Sequence, residues 1–291
     1  MPSPTRRLRA VAVVCSALVL ALAGYLTFSG RHATPAPPPP GCQAGTGVAA
    51  IPLAVSQAGI AATIAGVAAR HGLGKQAVTI AYATALQESK LQNLNYGDLD
   101  SVGVFQQRPS QGWGTTAELE DPVYATTKFF AALVKVHGYA TMPVNQAAQE
   151  VQHSADGYAY EQWAGTAQLL ANYFTGSSAA GVSCWYSPGG KADLTGALTQ
   201  LTSTFGRGGK DGVRVAVSTD RSANKKDESV AVVRVQRAAA WTVASWLVAY
   251  AQQYGISQVR YADYVWNATN DGAGWQRAAA QSLASGSIVA G

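Results

Sequence analysis

The segment Lys75–Leu91, KQAVTIAYATALQESKL, constrains the fold more than any other. Read as a helix, its Val78, Ile80, Ala81, Ala83, Ala85 and Leu86 go nearly all the way round, so no broad face is left for water. Such a helix is stable only when other elements surround it. The flanking sequence supplies them. An Ala-, Ile- and Val-rich stretch from Gly47 to about His71 reads as a helix stopped by Gly72-Leu73-Gly74. Asp121-Pro122 opens an amphipathic helix, Pro143 opens another, and a last one covers about Tyr158 to Phe174. This gives five or six helices with no convincing strand and no internal repeat.

The chain has 291 residues and 48% hydrophobic content, ample for a core. Its net charge of +5 is divided along the chain: +4 over residues 1–40, −3 over 41–187 and +4 over 188–291. No single basic patch results, and no nucleic-acid partner is expected. Arg6, Arg7 and Arg9 precede an uncharged apolar run from Ala10 to about Phe28. About 19 residues at ~1.5 Å rise reach across a ~30 Å hydrocarbon core. The run therefore reads as a transmembrane helix that engages the cytoplasmic membrane through residues 10–28, with the N-terminus inside and the rest extracellular. The rival reading is a signal peptide cleaved after Ala23, which gives a secreted chain. The tract Pro35-Ala36-Pro37-Pro38-Pro39-Pro40 follows as a stiff stalk.

Cys42 and Cys184 bracket the helical region, and an oxidising compartment permits them to pair as a disulfide. Past Ser187-Pro188-Gly189-Gly190 the pattern changes. A helix near 193–205 precedes alternating GVRVAVS and VAVVRV segments, a helix over about 236–254, and QVRYADYVW as a strand. The expected organisation is a cytoplasmic tip and anchor at 1–31, a stalk at 32–41, a helical domain at 42–186 and a small α+β accessory domain at 187–291. The last part lacks histidine and cysteine, which removes cysteine-peptidase and histidine-zinc chemistry from it. His71, His137 and His153 lie far apart without metal-ligand spacing, so no metal and no cofactor is expected.

The chemistry gathers after the central helix. Glu88 lies about 20° from Ala81 and about 60° from Ala85 around the helix axis, among small side chains. A carboxyl partly desolvated there keeps a proton available and leaves room for a ligand. Asn95-Tyr96-Gly97-Asp98 supplies a second carboxylate on a turn. Ser101-Val102-Gly103-Val104-Phe105-Gln106-Gln107 then brings a hydroxyl, an apolar anchor and an amide together. An acid, a nearby carboxylate and hydrogen-bonding amides suit cleavage of a glycosidic bond. Trp113 and Trp163 are candidates to stack on sugar rings or to fill the core.

Glu88-Ser89 followed by Ser101-x-Gly103-Val104-Phe105-Gln106 resembles the core of the goose-type lysozyme and soluble lytic transglycosylase superfamily. The runs at 106–115, 121–124 and 142–155 are similar to an actinobacterial branch of membrane-anchored cell-wall lytic proteins. The resemblance covers about residues 50–175. It implies a lysozyme-like fold and peptidoglycan as substrate. Glu88 is then the general acid at the β-1,4 bond between N-acetylmuramic acid and N-acetylglucosamine, with Ser101 and Gln106 as substrate-binding residues. Gly97-Asp98 resembles the pair that helps hold water in hydrolytic relatives. The Ala-Tyr-Asn motif of soluble lytic transglycosylases is absent, and Tyr158 and Tyr160 are the substitutes in that region. Lytic and hydrolytic outcomes both remain open. The competing reading is a catalytically silent wall-binding or assembly protein.

Overall fold

The computed structural model describes residues 38–154, 158–206, 216–221, 229–269, 272–278 and 287–291, with side chains undescribed at 216–221 and at Ser229. In chain order the elements are β1 (Gly41–Ala44), β2 (Ile51–Leu53), α1 (Val55–Arg70), α2 (Lys75–Ser89), α3 (Thr116–Leu119), α4 (Pro122–Leu133), α5 (Val144–Gln152), α6 (Ala164–Phe174), β3 (Val182–Trp185) and α7 (Leu194–Phe205). There follow β4 (Ala216–Arg221), β5 (Ser229–Arg234), α8 (Ala240–Ala249), α9 (Ala251–Tyr254), β6 (Gln258–Tyr261), β7 (Tyr264–Asn267), β8 (Gln276–Arg277) and β9 (Ser287–Ala290).

The central helix is where its composition requires. From Ala77 to Leu86 every side chain of α2 is buried, and α1, α4, α5 and α6 all pack on it. Inside this packing the Tyr82 hydroxyl donates to the Ala61 carbonyl of α1 at 2.7 Å, which satisfies the one polar atom of a fully buried ring. Helix α4 starts as its sequence predicts. Asp121 caps it by accepting from the Val123 amide at 2.9 Å, and Pro122 occupies the first turn, where a missing N–H costs nothing.

The N-terminal part does contain strands. The order β2-β1-β3 forms an antiparallel sheet whose register sets Cys42 opposite Cys184 and Gln43 opposite Ser183. Helix α1 accordingly begins at Val55, because Pro52 sits in β2. Strands of three and four residues containing Gly41 and Pro52 are too short to display period-2 alternation. In the C-terminal part, six antiparallel strands are ordered β4-β5-β9-β6-β7-β8. The segment QVRYADYVW is a hairpin rather than one strand. It reverses at Ala262, whose φ of 52° is left-handed, and Asp263. GVRVAVS falls partly outside the described residues, and its end forms β4, paired with β5.

The expected architecture of a transmembrane helix, a mostly α lysozyme-like domain and a small α+β domain is therefore corrected. Among the described residues no helix is long and apolar enough to cross a membrane, and nine helices and two small sheets are present. The apolar run 10–28 and residues 35–37 of the proline tract lie outside the described residues. Residues 39–291 form one compact unit with a continuous core. Helix α8 explains why: Thr242–Ala249 is buried throughout, and α1 covers it on one side while β3, β6 and β9 pack on it elsewhere. Polar contacts cross the Ser187–Gly190 stretch as well. Tyr250 and Thr63 share a hydroxyl hydrogen bond of 2.7 Å, the Trp266 indole N–H donates to the Cys184 carbonyl at 2.9 Å, and Trp275 donates to Val182 at 2.8 Å.

Cys42 and Cys184 are joined as a disulfide between β1 and β3, both nearly inaccessible. Closing a loop with a sequence separation of 142 is worth about 5 kcal/mol in the chain-entropy account. Replacing both cysteines by serine should lower unfolding free energy by about 3–5 kcal/mol. Urea denaturation measures it, and peptide mapping without reductant should recover the linked pair; free thiols at both positions would refute the bond.

Candidate functional site

The site is built where α2 ends. Lys90 and Leu91 are both left-handed, with φ of 56° and 59°, and Leu91 is fully buried. The Leu91 amide donates back to the Ala85 carbonyl at 3.0 Å, closing the helix end. Ser89 then fixes the incoming loop. Its hydroxyl donates to the Val104 carbonyl at 2.7 Å and accepts from the Gln92 amide at 3.2 Å. The Glu-Ser pair thus has separate tasks: Ser89 binds the loop, and Glu88 stands at its edge.

The loop is a tight structure of its own. Val102 and Gln107 exchange two backbone hydrogen bonds of 3.1 Å, and between them Phe105 is buried and stacked on Phe129 at 4.4 Å. Gly103 has φ of 78°, and a Cβ there would run into the Leu119 carbonyl, so glycine is required. Asp100 holds the loop's far end. It accepts from Arg108 Nε at 2.7 Å, from the Ser110 amide at 2.7 Å and from the Ser110 hydroxyl at 2.9 Å. Its carboxyl is held well below the usual range, first by the Arg108 hydrogen bond and then by the Ser110 amide.

Glu88 is half-buried, and the Tyr160 hydroxyl donates to its Oε1 at 2.7 Å. Tyr160 itself is 1% exposed, so its ring is fixed by packing and its hydroxyl presents one defined donor. Tyr158 is 78% exposed. On the preceding residue, Gln87 Oε1 accepts from the Trp163 indole at 2.9 Å and from Gln162 at 3.2 Å, while Lys90 Nζ lies 4.4 Å from the Trp163 ring centroid. Gln87, Trp163 and Lys90 thus brace the 158–163 segment against the end of α2. The role of Gln87 and Lys90 is not apparent from sequence, since their partner lies more than seventy residues away.

The remaining sequence-derived residues separate. Ser101 is nearly buried, with its amide donating to the Asp98 carbonyl at 3.0 Å. Gln106, expected as a substrate ligand, instead turns its amide onto the Tyr96 and Gly103 carbonyls at 3.2 Å each, which makes it a clamp of the loop. Gly97 lies under that clamp: a Cβ would strike the Gln106 side chain and approach the Ser101 carbonyl to 2.7 Å. Asp98 is exposed on the turn. Trp113 and Trp163 are both half-buried against the core. Among the described residues no group of His, Cys, Asp and Glu is arranged to hold a metal ion.

No protein-family model matches the chain, and no curated protein matches it.

Asp100 gives a test of the loop. A lowered folded-state carboxyl contributes stability that is present above the ordinary value near ~3.9 and is lost as pH falls below it. The stability gap between the parent chain and Asp100→Asn should therefore be constant near neutrality and shrink below about pH 4. Denaturant titrations at several pH values measure it, and a gap independent of pH would contradict the assignment.

Proposed function

We propose that this chain cleaves the β-1,4 bond between N-acetylmuramic acid and N-acetylglucosamine in peptidoglycan, outside the cytoplasmic membrane. The single observation that carries the reading is the half-buried Glu88 with its Oε1 held by the buried Tyr160 hydroxyl. Glu88 is also one of the residues that resemble the goose-type lysozyme and lytic transglycosylase superfamily, whereas Tyr160 lies where that family's Ala-Tyr-Asn motif is missing. The buried disulfide suits an oxidising compartment.

In this mechanism Glu88 Oε2 carries the proton and delivers it to the glycosidic oxygen as the bond to C1 breaks. Tyr160 keeps the carboxyl in one orientation and donates to the carboxylate that remains. In the lytic route the muramic C6 hydroxyl oxygen then bonds to C1 and returns its proton to Glu88, which leaves a 1,6-anhydro end and consumes no water. In the hydrolytic route a water molecule takes that place. Positioning a water requires a second carboxylate held still. Asp98 lies exposed on its turn, and this favours the lytic route.

Glu88→Gln should lower cleavage by roughly 10²–10⁴-fold without loss of fold, because an amide cannot supply the proton. Tyr160→Phe should lower kcat by about tenfold with KM little changed, the loss of one charge-assisted hydrogen bond. Asp98→Asn should keep most of the rate. Mass spectrometry of digested peptidoglycan reads all three, and also distinguishes anhydro ends from reducing ends. A Glu88→Gln chain as fast as the parent would sink the assignment of the acid. A parent chain that binds peptidoglycan without cleaving it would establish the silent wall-binding reading instead.

A further inference from the structure

A groove of about 870 Å³ lies between the turn after Pro109–Gln111, the end of α4 and the end of α5. Its floor is apolar: Trp113, Val136 and Met142 are half-buried and pack on the core. Its rim is ionisable. Lys135, His137 and His153 stand exposed around it with a single carboxylate, Glu150. The groove adjoins the site described above, since Gln152 in its wall donates to the Phe105 carbonyl at 2.8 Å, and the neighbouring Val104 carbonyl is the one Ser89 holds.

We infer that this groove binds the acidic peptide stems of the glycan strand, a reading that rests on the proposed function. A neutral sugar chain can hydrogen-bond to such a rim through its hydroxyls, but it carries no charge to complement one ammonium and one carboxylate flanked by two imidazoles. A peptide stem offers the complement. Its alanine methyls suit the floor of Trp113, Val136 and Met142, its free carboxylates suit Lys135 and the imidazoles, and the ammonium of its diamino acid suits Glu150. The stem leaves the muramic lactyl group beside the bond to be cut, so a peptide site must adjoin the acid's loop. The Gln152–Phe105 hydrogen bond supplies that adjacency.

Isothermal titration of the full chain with the synthetic tetrapeptide alanyl-γ-glutamyl-diaminopimelyl-alanine tests the site directly. The peptide should bind the parent, Lys135→Glu should weaken it roughly tenfold, and Lys135→Arg should restore it. Affinity for glycan strands stripped of peptide should be the same in all three chains. Lys135 is exposed, and His137→Glu offers a second exposed change with the same expected direction. No heat with the peptide, or equal affinity in parent and both charge-reversed chains, overturns the inference. Cleavage of whole peptidoglycan by the parent is scored separately. Cleavage without peptide binding removes the groove and keeps the enzyme; peptide binding without cleavage keeps the groove and removes the enzyme.

Discussion

The complete burial of Leu91 is the constraint on which the site depends. Placing this side chain in the core, immediately past a helix that is itself enclosed, forces Lys90 and Leu91 into left-handed backbone. For non-glycine residues that conformation costs about 1–2 kcal/mol each. Burying a leucine contributes about 1.5–3 kcal/mol, and the Ser89 hydroxyl and the amide bond to Ala85 offset the remainder. The direction in which the chain leaves α2 is thus decided by apolar packing. Because the chain leaves in that direction, the 101–107 loop returns against Ser89, and Glu88 stays at a boundary between core and solvent instead of inside either.

How far this was legible in the sequence follows from the range of the signals. The central helix, the Asp121-Pro122 start and the Pro143 start are written in local periodicity and caps, and the structure places them there. The Cys42–Cys184 pair could be read because two cysteines bracketing one helical region leave few alternative partners. The β2-β1-β3 sheet could not, since its strands are short and obtain their order from each other and from the disulfide. Within the site, Glu88, Ser101 and Asp98 lie in one run and were visible together. The contact between Tyr160 and Glu88 spans 72 residues and needs α6 to be packed on α2 before it exists. Gln106 looked like a ligand because an amide after a glycine-rich turn suits a sugar, yet the same amide is what two inward carbonyls of that turn require.

The packing of α8 against α1 binds the two halves of the described chain. A helix as apolar as AWTVASWLVA cannot be covered by a sheet on one side alone, and α1 supplies the other cover. The price to α1 is that it too is buried from Ala58 to Ala68, with Thr63 inside, which is why Thr63 finds its partner in Tyr250 of the C-terminal part. On the other face, Trp266 and Trp275 donate to the Cys184 and Val182 carbonyls of β3, so the disulfide-linked strand also receives bonds from the six-stranded sheet's own hairpin region. The C-terminal part therefore does more than follow the catalytic candidate: it completes the core on which α1, and through it α2, is laid.

The loop itself shows how an irregular segment is made rigid without a sheet. Most of its anchors are a side chain bonded to a backbone carbonyl: Ser89 to Val104, Gln152 to Phe105, Gln106 to Gly103 and Tyr96, Asn93 to Glu120. Each such bond is worth about 0.5–1.5 kcal/mol, and each fixes the peptide plane as well as the position. Asp100 adds an anionic anchor at the open end, where the hydrogen bonds from Arg108 and the Ser110 amide favour the ionised form against some desolvation. Four elements, α2, the end of α3, α5 and the 109–111 turn, are thereby tied to one stretch of some fifteen residues, so Glu88 at its edge and the groove along its side are set by the same few bonds. A ligand that spans both meets a surface ordered before it arrives, and the ordering cost that a mobile loop would subtract from its binding is already met in folding.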